Sequence, residues 1–407
     1  MNSQRIEDVM LQKAFKKSIP LKLGDELIDA AREVVTRWRA VTTRILAIGE
    51  AYGRQEDLIK RPFVGAAGHT LNRLLEDAEI LPTGSARAIS PRYNRNPSNP
   101  ELIAEADRRD RIYHQHGIRL TNVFNLRPEA NKIESLCGPK WGTRAAIRSG
   151  KYIRPEFEPH LERLQREIND HRPNLILALG ASAVWFTLNS PYIGKHRGAI
   201  APSPYGKVLA TYHPASLLMD RSPENRPIVL MDLMKAKFEC EFPEVRRPRR
   251  FIYVPEGIQD IQWGIRELAA APIISIDIET VEDQITCIGF AWSSEHTMVI
   301  PIFDWRKDSR SYWGLYEEAE VWGLIRRICE LPNPKLFQNG LYDIRFLYQR
   351  YGIAPRNCEH DTMLLHHALQ PELQKGLGFL GSIYTNEPSW KLMRSHSKVD
   401  TIKREDE

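Results

Sequence analysis

The sequence predicts an α/β protein with more than one domain, and three observations carry that expectation. Short apolar, largely β-branched or leucine runs recur at residues 45–48, 174–179 and 273–278, each leading into a glycine-rich or acidic turn. Apolar residues at helical spacing follow these runs, as with Leu71, Leu74 and Leu75 after the first. Charge then divides the chain: up to Arg250 there are 41 Lys+Arg against 29 Asp+Glu, and from Phe251 onward 16 against 23.

A chain of 407 residues has room for two or three such domains, and 42% hydrophobic with 27% charged residues is a globular composition. No run of about 18 apolar residues is present and the start is charged, so neither a membrane span nor a secretory signal is expected; the reading is cytoplasmic. Five cysteines, an odd count without CxxC spacing, argue against a disulfide framework and a four-Cys metal site and read as free buried thiols. The basic first half suits a phosphate backbone, and the acidic second half suits a metal-dependent site.

Residues 1–39 read as a lead-in helix, and residues 45–48 as a buried strand that delivers GEAYG (49–53). Glu50 therefore sits at the carboxyl end of a strand, where open α/β sheets bind ligands. Gly49 and Gly53 let the backbone approach a flat ligand, and Phe63 in RPFVGAAG (61–68) can reach over it. Taken alone, the motif is more often an ordinary strand-to-helix loop whose Glu50 faces solvent. Residues 82–100 read as an exposed loop.

The next strand ends in TNVFNLRP (121–128), where the Asn122 amide can both donate to and accept from a pyrimidine edge, or cap a turn. Residues 155–171 form an amphipathic helix. A buried strand at 174–179 then turns through Gly180 into another helix, repeating the wiring of the first motif. A strand at 207–212 delivers YHPASLL (212–218), with His213 at its end and Leu217 and Leu218 exposed beside it.

In this order, GEAYG, RPFVGAAG, TNVFNLRP and YHPASLL resemble the uracil-DNA glycosylase superfamily, family 4 type. The resemblance implies a three-layer α/β/α domain that flips uracil out of DNA and cleaves its N-glycosidic bond. It implies that Glu50 polarises water or stabilises the sugar cation, Phe63 stacks on the base, Asn122 bonds the uracil edge and His213 stabilises charge on uracil O2. Leu217 and Leu218 would wedge into the vacated space. Two positions depart from the family pattern: Tyr52 stands where the family has Pro and can crowd the pocket, and Asn125 stands where a cysteine is expected. With no CxxC near the start, no iron–sulfur cluster is predicted.

The helix at 225–233 closes this domain, placed at 1–242, and the basic run RRPRR (246–250) marks a linker over 243–255. In the domain at 256–407, strand alternation puts Asp277 and Glu279 of DIET (277–280) on one face. Two acids there are costly unless a cation lies between them. Residues 284–292 and 296–302 supply further strands, and NGLYD (339–343) brings Asn339 and Asp343 to a strand-to-helix turn. Asp361 opens a later helix as a capping residue.

DIET and NGLYD resemble the first two motifs of the DnaQ-like (DEDD) 3′–5′ exonucleases. That resemblance implies a ribonuclease H-like domain with a mixed sheet, in which Asp277, Glu279 and Asp343 bind two Mg2+ or Mn2+ ions. The family's Tyr-x-x-x-Asp motif is absent, and the fourth acid is left between Asp400 and Asp406. The combined reading is a phage-type DNA-processing protein that excises uracil and trims 3′ ends, with DNA, and a phage polymerase or replisome protein, as partners. The alternative is a non-catalytic DNA-binding and docking protein built on the same two folds.

Overall fold

The computed structural model describes residues 43–90, 97–218 and 222–387. The lead-in helix expected over residues 1–39, and the acids Asp400 and Asp406, lie outside them. The chain divides into two compact units between Val245 and Arg246. Among the described residues no helix is long and apolar enough to cross a membrane.

The strands of the first unit are β1 (Ile45–Ala51), β2 (Ile118–Phe124), a two-residue ribbon of β3 (Cys137–Gly138) and β4 (Tyr152–Ile153), β5 (Leu175–Leu179), β6 (Ile200–Ser203) and β7 (Gly206–Thr211). Its helices are α1 (Arg54–Ile59), α2 (Ala66–Asp77), α3 (Ser85–Ile89), α4 (Asn99–Gln115), α5 (Glu158–His171), α6 (Ala181–Leu188), α7 (Ile193–His196) and α8 (Arg226–Glu239). The main sheet runs β2-β1-β5-β7-β6, parallel throughout except for the antiparallel edge pair β6–β7.

Parallel strands covered on both faces must be apolar on both, which is why β1 and β5 read as unbroken hydrophobic runs. Successive side chains of β1 enter opposite cores. Ile45 and Ala47 join Leu71, Leu74 and Leu75 of α2 and Val229, Leu233 and Ala236 of α8. Leu46 and Ile48 join Leu161, Leu164 and Ile168 of α5 and Ala183 to Phe186 of α6. The result is the expected three-layer α/β/α arrangement.

Two stretches differ from expectation. Within residues 82–100, read as an exposed loop, Ser85–Ile89 is helical because Ile89 drops fully into the core. Helix α4 escaped the sequence reading because few of its 17 residues are buried: Leu102, Ala106, Arg109 and Tyr113. A capping box between Ser98 and Glu101 starts it.

The second unit contains β8 (Phe251–Tyr253), α9 (Ile258–Ala270), β9 (Ile274–Val281), β10 (Gln284–Ala291), β11 (His296–Pro301), α10 (Leu315–Glu330), β12 (Lys335–Phe337), α11 (Leu341–Tyr351), β13 (Cys358–Asp361), α12 (Thr362–Leu369) and α13 (Leu377–Tyr384). The sheet order is β13-β12-β9-β10-β11-β8. β10 pairs antiparallel with β9 and β11, while β12 lies parallel to β9 and β13 parallel to β12. The sheet is mixed, as expected.

Strand β8 falls inside the stretch read as linker, and pairs parallel with β11. Aromatic stacking accounts for it: the Phe251 ring lies 4.9 Å from His296, and Tyr253 lies 5.7 Å from Trp292.

Candidate functional site

The parallel register sets Gly49 of β1 directly beside Asn122 of β2. A Cβ on Gly49 would lie 2.3 Å from Asn122 Oδ1 and 2.6 Å from Phe63 Cζ, so the amide and the ring both close over a position that only glycine leaves open. Phe63 adopts φ 55°, held there because Gly68 of α2 packs against its carbonyl. Its ring stacks on His213 with centroids 5.7 Å apart and planes inclined by 22°. Asn122, Gly49, Phe63 and His213 thus form one contiguous cluster at the carboxyl ends of β1, β2 and β7.

One residue further along β1, Glu50 opens with His213 onto a cavity of about 700 Å3, which Gly53, Gly65, Arg148 and Leu218 also line. Ser182, in the first turn of α6, donates its hydroxyl to Glu50 Oε2. Arg148, from the loop between β3 and β4, donates to the same oxygen at 3.1 Å. The carboxylate is thereby oriented from two sides. His213 Nδ1 accepts the Ala215 N–H at 3.1 Å, which leaves the ring proton of a neutral imidazole on Nε2. In the cavity wall, Glu56 accepts the Gly65 N–H at 3.0 Å and fixes the loop that carries Phe63.

Two expectations need correction. Leu217, read as an exposed wedge, is only 8% exposed and packs into the core beside α2, because the 3-10 turn after His213 rolls it inward. Leu218 borders the cavity instead. Tyr52 does not crowd the Glu50 cavity: it lies just past the end of β1, its hydroxyl donates to the Lys60 carbonyl at 3.1 Å, and it lines a separate cavity of about 880 Å3. Asn125 lines that second cavity too.

The first unit has only Cys137 and Cys240, and partial burial raises the pKa of both thiols, opposite to what thiolate ligands need. These residues do not fit an iron–sulfur cluster.

In the second unit, Asp277 and Glu279 project from the exposed face of β9 while Ile276 and Ile278 face the core. Asp343, buried in the first turn of α11, accepts the Ile278 N–H at 3.1 Å between them. Burial raises its pKa to about 6, with the charge of Asp277 adding to the effect. Partial desolvation and the neighbouring Glu279 raise Asp277 as well.

Asn339 is exposed with φ 58°, in the turn before α11. Asp361 is occupied by the backbone: it accepts N–H groups from Asn339, Gly340, Met363 and Leu364. Hard carboxylate oxygens suit Mg2+ or Mn2+, but among the described residues no three His, Cys, Asp or Glu are grouped to hold a metal. Asp400, named as a further ligand, lies outside the described residues.

Glu56, Arg148 and Ser182 are the site residues that sequence reasoning missed. Ser182 at the start of a helix after a β-Gly turn was the only legible signal.

Residues 38–233 match the sequence model of the Uracil DNA glycosylase superfamily. The type-4 uracil-DNA glycosylase of Thermotoga maritima is 32% identical over 198 residues, spanning 48% of this chain and 77% of the relative. That of Archaeoglobus fulgidus is 28% identical over 183 residues, covering 43% and 66% respectively. Among solved structures, Escherichia coli RNase D is similar at 16% identity and TM-score 0.26, over 34% of this chain and 34% of its own. The Nibbler EXO domain of Aedes aegypti is similar at 11% identity and TM-score 0.27, over 35% and 74%. The chain thus spans about a third of the length of that RNase D.

Proposed function

The chain belongs to the uracil DNA glycosylase superfamily, and from that premise we propose that its first unit excises uracil from DNA by hydrolysing the N-glycosidic bond. The observation that carries this reading is the meeting of Glu50 and His213 on one cavity, with Asn122 and Phe63 clustered over Gly49. Departure of a uracil anion leaves an oxocarbenium-like sugar. Glu50 supplies the opposing negative charge and orients water, while His213 Nε2–H stabilises the charge developing on uracil O2. Phe63 stacks on the flipped base, and the Asn122 amide reads its edge. Gly49 and Gly53 keep the backbone close to the base. A uracil-containing strand should break at the uracil after alkali treatment, without added metal, and Glu50→Gln should abolish the break.

For the second unit, the reading is a nuclease that removes nucleotides from DNA 3′ ends. Its support is the alternation of Asp277 and Glu279 on β9 around the bond from Ile278 to Asp343, with burial first and a neighbouring acid second raising the pKa values of Asp277 and Asp343. Asp277, Glu279 and Asp343 are the residues that would hold divalent ions, with Asp400 as a further candidate and Asn339 at the edge of the substrate path. A bound ion would supply Lewis-acid stabilisation of phosphoryl charge. Manganese binding followed by paramagnetic resonance tests this without reference to activity. Wild type should bind and Asp277→Ala should not; equal binding by both removes the assignment and leaves the unit as a DNA-docking module.

A further inference from the structure

Arg148 lines the Glu50 cavity, and its contacts are those of a group built to change partners. Its terminal nitrogen donates to Glu50 Oε2 at 3.1 Å, while Nε lies 3.8 Å from Glu134 on the other side. NH1 donates to the carbonyl of Ile147, a fully buried neighbour that anchors the loop. Both charged side chains are about one-third exposed, Arg148 at 32% and Glu50 at 35%. A partly exposed ion pair of this kind is weak enough to be exchanged.

The pair is also at odds with the chemistry proposed for Glu50. A cation in contact with that carboxylate cancels much of the field that a positively charged sugar would feel. The productive arrangement therefore needs the Arg148 charge drawn away from Glu50. The anion that always accompanies a target nucleotide is the backbone phosphate beside its sugar, and the planar fork of arginine matches phosphate better than it matches one carboxylate oxygen.

We propose that Arg148 is a substrate-released latch: it masks Glu50 in the free protein and transfers to a DNA backbone phosphate when a nucleotide enters the cavity, unmasking the carboxylate as the phosphate is gripped. Glu134 and the buried Ile147 keep the arginine tethered, so that it pivots instead of leaving. The inference rests on the glycosylase reading for the purpose of the exchange, but the exchange itself is a property of DNA binding.

Binding of the full chain to a single-stranded oligonucleotide carrying one tetrahydrofuran abasic analogue, measured by fluorescence anisotropy against salt concentration, tests it without any cleavage. Arg148→Ala should flatten the log–log salt slope by about 0.7, the value for one phosphate contact on a single strand, and Arg148→Lys should restore most of it. Glu50→Gln, which releases the arginine, should tighten binding by about threefold or more in the wild-type background, and that gain should largely vanish when Arg148→Ala is also present. Arg148→Gln, checked by circular dichroism, repeats the comparison with a longer side chain.

An unchanged slope, or an equal gain from Glu50→Gln in both backgrounds, overturns the latch. If the coupling is present but wild type leaves uracil intact, the glycosylase reading fails and the phosphate grip stands. If uracil is excised without coupling, only the latch falls.

Discussion

Gly49 and Asn122 lie side by side in the β1–β2 register, with the Asn122 amide oxygen 2.3 Å from where a Cβ on Gly49 would be. Gly49→Ala must therefore displace the Asn122 amide, the Phe63 ring or both. Because the strand conformation at this position is ordinary, the unit should still fold. Uracil excision should fall by about 100-fold or more, the scale expected when reacting groups are misplaced by an ångström. Single-turnover cleavage with circular dichroism on the same sample checks both halves of that expectation.

Ser182 is the partner that stays with Glu50 when Arg148 leaves. Ser182→Ala removes a hydrogen bond to a charged acceptor, and the maximal cleavage rate should fall about tenfold with little change in KM. A rise in KM alone would instead assign the serine to DNA binding.

The raised pKa of Asp343, about 6, sets a direction for stability against pH in metal-free buffer. Between the ordinary carboxylate value and about pH 6 the folded protein holds a proton that the unfolded chain has lost. Stability from this group is therefore present at low pH and lost as pH rises through that window. Asp343→Asn, neutral throughout, should match wild type near pH 4 and exceed it at pH 7 by up to about 3 kcal/mol. Denaturant titrations of both proteins at the two pH values, with a chelator present, measure the difference; a mutant less stable at pH 7 would contradict it.

Asp361 holds the turn from which α11 starts, through bonds to the Asn339 and Gly340 N–H groups, and caps α12 through Met363 and Leu364. Asp361→Ala should cost about 2–4 kcal/mol, since it removes a cap and two further charge-assisted bonds. Asp361→Asn, which keeps one acceptor oxygen, should cost less, and thermal unfolding ranks the three proteins.

What the sequence made legible was local. The carboxylate at the end of β1, the alternation of Asp277 and Glu279, and the cap at Asp361 each follow from a spacing of one to three residues, which strand or turn geometry converts directly into position. The two-sided cores follow likewise from the unbroken apolar runs of β1 and β5. What escaped depends on contacts between distant segments. Arg148 reaches Glu50 across 98 residues and Ser182 across 132, through a ribbon loop and a helix start with no pattern of their own. Leu217 misled because exposure after His213 hinges on a single 3-10 turn, and Tyr52 because it lies just past the end of β1, where its contact with the Lys60 carbonyl and not strand spacing fixes its direction.

The central claim is that Glu50 is the charge that supports glycosidic bond cleavage. A 5′-labelled single strand with one uracil, incubated with wild type and with Glu50→Gln in chelator and then treated with alkali, addresses it most directly. The account predicts a discrete band at the uracil position for wild type and an intact strand for the variant. Equal cleavage by both, or an intact strand with wild type, would contradict it.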